Sequence, residues 1–331
     1  MGAVPTAARR SSETALFCRS VSRHPAAPEL GEFARGYLLE GYRKMLPVDS
    51  RLESHLHGVL HETLTHPGSL IRAELAFGIL RQEGCSPNIA RRVAIAIEYF
   101  HTASLLLDDL PCMDDAQERR GHACAHVLYG EAPAILGALA LINQAYLLTW
   151  RAIAELPAAR RDAAASLVTA CLGARGILDG QSRDLHFDAA SSRGDDVLAV
   201  AEGKTAMLIR LTLLLPARIA GVENRICRDL DRLASVWGAA YQITDDFKDI
   251  LGGSPEGGST GKTPDRDRTL GRPNLPRQIG LVPALAQLDA LLAESESLLA
   301  GLDGRWQQLA TIQDRLVRER QALAVSWQAL A

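Results

Sequence analysis

The sequence predicts an all-α fold. From residue 29 onward, apolar residues recur with the period of amphipathic helices, and no run shows the strict alternation that is typical of strands. Hydrophobic residues make up 47% of the 331 residues and aromatic residues only 5%. Alanine and leucine are abundant, as in helical bundles. This length allows one large domain or two.

The first 28 residues differ from the rest of the chain. They are rich in alanine, arginine, serine and proline, and Glu13 is their only acidic residue. Such a composition fits either a disordered tail or a transit peptide. Because no clear amphipathic helix is visible in them, we expect a disordered tail over residues 1–28 and a helical domain over residues 29–331.

Turn-forming residues divide the helical region into its elements in chain order. They are Pro47, His66–Gly68, Gly84–Pro87, Gly130–Pro133, Pro157, Ser191–Gly194, Gly221 and Gly252–Gly261. Between them lie segments with a clear helical period, such as Arg91–Leu107 and Ala199–Leu215. The chain after Leu281 has an amphipathic pattern and predicts further helix.

Charge, hydropathy and cysteine usage narrow the classes of function. A net charge of −3 and a pI near 6.3 argue against a nucleic-acid surface. Residues 132–148 come closest to the ~18 to 20 apolar residues of a membrane span. Asn143 and Gln144 interrupt that run, so we expect a buried helix and no membrane span. The six cysteines include no CxxC pair and indicate reduced thiols in a cytoplasmic protein.

The first chemical signal lies at the end of an apolar segment. Residues 105–121 read LLLDDLPCMDDAQERRG, with aspartates at 108, 109, 114 and 115. Carboxylates beside apolar side chains cost free energy unless something neutralises them. Mg²⁺ accepts one or two carboxylates together with substrate phosphates, and Arg119 and Arg120 offer forked donors to phosphate oxygens. The stretch predicts a Mg²⁺–diphosphate site, although taken alone it equally fits a solvated acidic helix end.

A second acidic stretch follows more than a hundred residues later. Tyr241–Asp249 reads YQITDDFKD, directly after the apolar run Leu233–Ala240. Asp245 and Asp249 are four residues apart, so they share one face of a helix. Two acidic clusters, each at the end of an apolar helix, can face each other across one cavity.

Together, the two stretches resemble the aspartate-rich motifs of trans-isoprenyl diphosphate synthases (the polyprenyl synthetase family), most of all bacterial-type geranylgeranyl diphosphate synthases. The matching segments are DDLPCMD (108–114), RRG (119–121), GQSRDL (180–185), GKT (203–205), YQ (241–242), DDFKD (245–249) and GK (261–262). The resemblance covers roughly residues 31–276. It implies a single-domain, isoprenoid synthase type I-like bundle around a central apolar cavity, and a homodimer.

The resemblance also implies a role for each matching residue. About three Mg²⁺ ions per active site would be held by Asp108, Asp109, Asp114, Asp245, Asp246 and Asp249. The catalytic residues would be Lys204, Thr205, Gln242 and Lys262. The substrate-binding residues would be Arg72, His101, Arg119, Arg120, Gln181 and Arg272. The implied reaction condenses isopentenyl diphosphate with an allylic diphosphate, and the departing diphosphate removes the proton.

Product length in this family depends on the helix before the first acidic motif. A bulky residue five positions ahead of that motif ends chain growth early, and here this position is Ala103, followed by Ser104. Phe100 is the next bulky candidate, about one helical turn deeper. The resemblance therefore implies a product longer than C15, namely C20 geranylgeranyl diphosphate.

Residues 65–74 depart from the pattern of the family. They read THPGSLIRAE in place of a GGKRxRP-like motif, so that Gly68 and Arg72 match while Ser69 and Leu70 replace two basic residues. Loss of isopentenyl diphosphate binding would leave a class I terpene cyclase or a hydrolase, which acts on a prenyl diphosphate alone. A non-catalytic partner subunit is a third alternative. The retained Arg72 and the intact acidic motifs favour elongation.

Overall fold

The structure, a computed structural model, describes residues 31–251 and 266–328. It confirms the all-α fold. The helices are α1 (Gly31–Lys44), α2 (Ser54–Thr65), α3 (Ile71–Gln82), α4 (Pro87–Asp108), α5 (Ala125–Tyr129), α6 (Glu131–Ile153), α7 (Ala158–Leu172), α8 (Ile177–Leu185), α9 (Gly194–Ala201), α10 (Met207–Ala220), α11 (Asn224–Leu251), α12 (Arg266–Leu270), α13 (Leu275–Ile279), α14 (Leu281–Ala300) and α15 (Ala310–Gln328). A π-helical turn, Glu202–Ala206, joins α9 to α10.

Helix α4 is central to the first half of the bundle. It begins at Pro87 because Ser86 caps it: the hydroxyl oxygen accepts the N–H of Ile89, and proline suits the first turn. Apolar residues then fill the helix, which packs against α1, α3, α6 and α10. The helix ends at Asp108, so a buried element carries the first acidic motif.

Helix α11 has the same function in the second half. Its buried face includes Trp237 and Phe247, and it packs against α10, α14 and α15. One apolar cluster surrounds α4 and a second surrounds α11, with residues of α10 in both. The two long helices are therefore held on either side of α10, each with an acidic motif near its C-terminal end.

A short antiparallel hairpin follows the first acidic motif. Strands β1 (Glu118–Arg119) and β2 (His122–Ala123) form the only sheet in the part of the chain that the structure describes. The two turn residues, Arg120 and Gly121, both have positive φ, 57° and 80°. A two-residue hairpin turn of this kind suits glycine at its second position, which gives the RRG sequence a structural reason.

The predicted turns mostly separate observed helices. Gly84–Pro87 lies between α3 and α4, and Gly221 ends α10 with a φ of 78°. The sequence pattern missed two breaks, around residues 173–176 and 301–306. The predicted disordered tail, residues 1–28, and the whole predicted turn Gly252–Gly261, with Lys262 after it, lie outside the described residues.

The apolar run at residues 132–148 falls within α6. Among the described helices, α6 is the one with the length and apolar composition of a membrane span, and 39% of its most apolar window is buried inside the fold. Leu136, Leu139 and Trp150 are more than half exposed. The expected buried helix is thus buried along one face only, and its other face is apolar and open.

Candidate active site

A cavity of about 620 Å³ lies between the acidic ends of α4 and α11, which is a volume typical of small-molecule sites. Its apolar wall includes Phe100, Ile142, Tyr146, Leu172, Ile177 and Leu208. Its polar lining includes Arg72, His101, Asp108, Asp114, Arg119, Arg120, Gln181, Lys204, Thr205, Gln242, Asp245 and Arg272. The fold therefore brings most of the predicted site residues to one place.

Asp108 and Asp114 form one acidic side of the cavity. A tight turn joins them, in which the Asp114 N–H donates to the Asp108 carbonyl oxygen at 2.9 Å. Burial raises the pKa of Asp108 to about 6; Lys204 opposes this rise and the Asp114 carboxylate adds to it. Carboxylates held this close, partly out of water and beside substrate-sized space, fit a hard divalent cation.

Asp109 has a different position from the one predicted. It is 4% exposed, is not among the lining residues, and accepts a forked interaction from Arg119, with Nε at 2.8 Å from Oδ1 and 2.9 Å from Oδ2. In this structure the Asp109 oxygens hold Arg119, and its role as a metal ligand stays a prediction. Arg119 in turn faces the cavity, so Asp109 orients a cation toward it.

The two adjacent aspartates of the second acidic motif also lie in different environments. Asp245 lines the cavity, whereas Asp246 is fully buried. Its two oxygens accept hydrogen bonds from Gln242 Nε2 and from the Leu275 N–H, both at 2.8 Å. Burial raises the pKa of Asp246 well above its usual value. Asp246 thus joins α11 to α13 in this structure, and its role as a metal ligand stays a prediction.

The end of the second motif also faces other protein groups. Asp249 accepts from the Asp267 N–H at 3.4 Å and pairs with Arg277 at 3.5 Å. It is not among the residues that line the cavity. Asp249 thus does not share the cavity-lining position of Asp108, Asp114 and Asp245, and its role as a metal ligand stays a prediction.

Lys204 and Thr205 lie in the π-helical turn. π-helical turns are rare in proteins, and those that occur are often found at functional sites. Burial alone would lower the pKa of Lys204, but the carboxylates of Asp184, Asp108 and Asp114 raise it above its usual value, and the ammonium lies 2.6 Å from Asp184 Oδ2. The Thr205 hydroxyl donates to Gln242 Oε1 at 3.0 Å, which sets the orientation of that amide.

Gly180 explains the start of the GQSRDL segment. A Cβ atom at this position would lie 2.1 Å from the carbonyl carbon of Gly203 and 2.3 Å from the amide nitrogen of Lys204. Only glycine lets the backbone of α8 approach the π-helical turn so closely. This approach places Gln181 in the cavity lining beside Lys204.

Arg272 connects three segments at the acidic side. Its Nη2 donates to the Met113 carbonyl oxygen at 2.7 Å and lies 3.4 Å from Asp114 Oδ1, and Nη1 donates to the Asp184 carbonyl oxygen at 3.3 Å. Its Nε is buried and has no hydrogen-bond partner in the described part of the chain. A buried guanidinium with an unused donor fits an anionic ligand.

Arg72, His101 and Arg120 form a basic side of the same cavity. Burial, followed by the charges of Arg72 and Arg120, lowers the pKa of His101 well below its usual value, so its imidazole is neutral at pH 7. Within the described residues, Arg72 Nε and His101 Nδ1 are buried without a hydrogen-bond partner. The Arg72 Nε–H, and the His101 ring in its Nδ1–H tautomer, also fit a bound anion.

The predicted chain-length residues differ in position. Phe100 and Ser104 line the cavity, but Ala103 is fully buried and is not among the lining residues. The role of Ala103 in product length stays a prediction, since its small side chain does not reach the cavity lining. Phe100 instead meets Tyr146 of α6 edge to face, with ring centroids 4.9 Å apart, and the two aromatic rings bound the apolar part of the cavity.

Sequence reasoning missed several groups at this site. Glu98 is buried in α4, accepts the Ala73 N–H at 3.3 Å, and opposes the effect of burial on the pKa of Arg72. Tyr146 and Arg315 also line the cavity. No local pattern marks them, because each acts through helices that are distant in sequence. The one available signal was a lone glutamate within the apolar run of α4.

Comparison with known proteins gives consistent results. The model of the polyprenyl synthetase family matches residues 53–297. A geranylgeranyl diphosphate synthase from Pseudescherichia vulneris is 34% identical over 264 residues, which cover 75% of this chain and 82% of that protein. A farnesyl diphosphate synthase from Bacillus subtilis is 29% identical, over 71% of this chain and 79% of that protein.

Solved structures share the fold. A geranyltransferase from Helicobacter pylori, complexed with magnesium and isoprenyl diphosphate, superposes with a TM-score of 0.74 at 23% identity, over 89% of this chain and 98% of that one. An FPP/GFPP synthase from Zymomonas mobilis gives a TM-score of 0.70 at 24% identity, over 85% of this chain and 95% of that one. At these identities the likeness concerns the fold.

Proposed function

Because the chain belongs to the polyprenyl synthetase family, we propose that it is a Mg²⁺-dependent trans-prenyltransferase that condenses isopentenyl diphosphate with an allylic diphosphate. The observation that carries this proposal is a single cavity with an acidic side and a basic side. Besides burial, Lys204, Asp114 and Arg119 influence the pKa of Asp108 on the acidic side, and Arg72 and Arg120 influence the pKa of His101 on the basic side. A cyclase that uses one diphosphate substrate needs only the first side.

The residues on the acidic side fit an allylic diphosphate and its metal ions. When bound, about three Mg²⁺ ions would supply positive charge to the leaving diphosphate. Lys204 and Arg272 add donors for its oxygens, and Arg119, held by Asp109, adds a third cation. Preorganised charge of this kind lowers the cost of forming the allylic cation.

The basic side would hold the second substrate. Arg72 and His101 would bind the diphosphate of isopentenyl diphosphate through the unpaired ring and guanidinium nitrogens described above, and Arg120, which also lines the cavity, would add a further cation. Its double bond attacks the allylic carbon, a carbon–carbon bond forms, and the released diphosphate takes the proton that leaves. The apolar wall limits access of water to the cation.

We further propose a C20 product. Ser104 is small and leaves the upper part of the apolar wall open, while Phe100 and Tyr146 close it below. The relatives include both geranylgeranyl and farnesyl diphosphate synthases.

The reduced cysteines at positions 85, 112, 124, 171 and 227 support a cytoplasmic enzyme.

A product assay tests the proposal. The enzyme is supplied with Mg²⁺, farnesyl diphosphate and labelled isopentenyl diphosphate, and products are identified by mass spectrometry before and after phosphatase treatment. Label in a C20 diphosphate is the expected result, and Phe100→Ala should extend the product by at least one isoprene unit. The assay is repeated with geranyl diphosphate as the allylic substrate: label confined to a C15 diphosphate there, with none incorporated when farnesyl diphosphate is supplied, would contradict the C20 assignment.

The alternative is a cyclase or hydrolase that acts on the allylic substrate alone. The specific observation in its favour is Ser69, which lines the basic side where related enzymes carry a lysine. A hydrocarbon or alcohol formed without isopentenyl diphosphate would support this alternative. For a synthase, Ser69→Lys should lower the KM for isopentenyl diphosphate by about 10-fold or more, since one charged hydrogen bond contributes roughly 1.5 to 3 kcal/mol.

A further inference from the structure

Three side chains of the types that can ligate a metal ion meet outside the cavity lining. Glu62 and His66 lie at the C-terminal end of α2, and His122 lies in β2; their ligand atoms are all within 4.8 Å of one another. His66 Nδ1 is 3.0 Å from Glu62 Oε1, and the two imidazole rings have centroids 4.7 Å apart. The His66 side chain is 48% exposed and that of Glu62 is 31% exposed, so an ion in solution can reach the cluster.

The donor set selects a class of ion. Two imidazoles and one carboxylate suit Zn²⁺ and related transition metals, whereas Mg²⁺ prefers oxygen ligands alone. Ligand atoms around a four-coordinate Zn²⁺ lie roughly 3.3 Å apart, given bonds of about 2.0 to 2.1 Å. Small rotations of the partly exposed side chains would bring Glu62, His66 and His122 to that separation, and water can complete the fourth position.

The cluster also connects two segments of the basic side. His66 precedes Gly68 by two residues, and His122 follows Arg120 by two residues. The Arg120 guanidinium lies so close to Gly68 that a Cβ atom there would be 2.1 Å from Nη1. An ion held between His66 and His122 would therefore restrain the segment that carries Ser69 against the hairpin that carries Arg120.

We propose that Glu62, His66 and His122 bind a transition-metal ion of the Zn²⁺ class, and that this ion clamps the end of α2 to the β1–β2 hairpin at the basic side of the cavity. The clamp pre-organises Arg120 and the Ser69 segment for a diphosphate. This second effect rests on the proposed function, whereas the binding of the ion does not.

Another histidine pair provides the matched control. His57 and His61 are one turn apart on α2, and their rings stack with centroids 5.9 Å apart. This pair also offers two imidazoles, but among the described residues no third histidine, cysteine or carboxylate joins it to form a possible metal site. Zn²⁺ binding at His57 and His61 would thus be retained in His122→Gln and lost in the double variant His57→Gln/His61→Gln.

Calorimetric titration with Zn²⁺ tests the site. Excess Mg²⁺ is present throughout so that the carboxylates of the cavity are occupied. We expect the wild type to bind one Zn²⁺ ion per chain. The affinity for Zn²⁺ should be ~10-fold to 100-fold weaker in His66→Gln and in His122→Gln. It should not change in the double variant. Co²⁺ should give the strong visible absorption of a four-coordinate site in the wild type and the double variant only. No binding, or equal binding in His122→Gln, would overturn the site.

Binding of isopentenyl diphosphate, measured by calorimetry without turnover, tests the clamp. Zn²⁺ should tighten it several-fold in the wild type and not in His122→Gln, and the diphosphate should tighten Zn²⁺ binding by the same factor. Zn²⁺ binding without this coupling would overturn the clamp and leave the metal site. A protein that binds Zn²⁺ but no isopentenyl diphosphate would instead contradict the proposed function.

Discussion

Adjacent aspartates in the two acidic motifs have different structural functions. Successive residues of a helix point about 100° apart, so one aspartate of a pair faces the cavity while the next faces a neighbouring segment. Asp108 and Asp245 line the cavity, whereas Asp109 holds Arg119 and Asp246 holds α13. A repeated DD pair therefore supplies one cavity-facing carboxylate and one support.

This difference predicts that substitution of Asp246 mainly lowers stability, whereas substitution of Asp245 mainly lowers turnover. Asp246→Ala leaves the Leu275 N–H and Gln242 Nε2 without their acceptor, and unpaired buried donors cost about 1 to 3 kcal/mol each. We expect the free energy of unfolding in urea to fall by about 2 to 4 kcal/mol. Asp245→Ala should lower the free energy of unfolding less, because Asp245 lines the cavity, and should lower turnover about 100-fold or more. Equal losses of stability in the two variants would contradict the division.

Asp108 predicts a dependence of stability on pH. Its pKa is raised to about 6 from 3.8, so between these values the folded state binds the proton more tightly than the unfolded state, and stability falls as pH rises. In Mg²⁺-free buffer, Asp108→Asn should therefore raise the free energy of unfolding at pH 7 by about 1 to 3 kcal/mol, with almost no gain at pH 4. The measurement is urea unfolding with a chelator at both pH values.

Asp188→Asn is the control for that experiment. The Ser191 hydroxyl and the Ala190 N–H donate to Asp188 and lower its pKa, so its replacement should not stabilise the protein at pH 7. Added Mg²⁺ should stabilise the wild type more than Asp108→Asn. If Asp108→Asn is less stable than the wild type at pH 7, the ionised Asp108 carboxylate does not lower the free energy of unfolding, and this prediction is wrong.

At the scale of elements, the contact between α8 and the π-helical turn determines the position of Lys204. The sequence pattern predicts helix over Ala199–Leu215 but gives no sign of the π-helical turn within it. Gly180 allows the close approach from one side, and Gly238 of α11 allows it from the other, where a Cβ atom would lie 2.5 Å from that of Ala206. Glycines in two different helices, α8 and α11, thus allow the close packing around this π-helical turn.

A single added methyl group should disturb this contact. Gly180→Ala places Cβ against backbone atoms of Gly203 and Lys204, which must then move. We expect a loss of about 1 to 3 kcal/mol in stability together with a fall in kcat. Gly36→Ala in α1 is the matched control, since nothing lies within 4 Å of its Cβ position and alanine favours helix by about 1 kcal/mol. Wild-type kcat in Gly180→Ala would refute the positioning role.

The sequence predicted the elements better than it predicted the orientation of individual residues. Helical period identified α4 and α11, and the motifs identified the cavity, because both signals are local. The burial of Asp109, Asp246 and Ala103 depends on which neighbouring helix faces each of them, and no local pattern encodes that. The buried Glu98 escaped notice for the same reason.

At the scale of the whole molecule, the outer face of α6 needs a partner. Leu136, Leu139 and Trp150 are 52%, 53% and 57% exposed on it, and they follow one another at helical spacing. Contiguous apolar surface of this kind marks an interaction site. Tyr146 lies on the same helix, is 46% exposed and also lines the cavity, so whatever covers this face lies next to the apolar end of the site.

We expect a second copy of this chain to cover this face, as the homodimer implied by the family resemblance requires. Leu136→Arg/Leu139→Arg should convert a dimer to a monomer in light scattering, because two buried charges oppose an interface that needs roughly 800 Å² per partner. Turnover should fall, and product length should change, since Tyr146 loses its cover. Val282→Arg, on the 68% exposed Val282 of α14, is the control and should remain dimeric. A monomeric wild type that binds lipid vesicles through α6 would show that the helix serves a membrane surface instead.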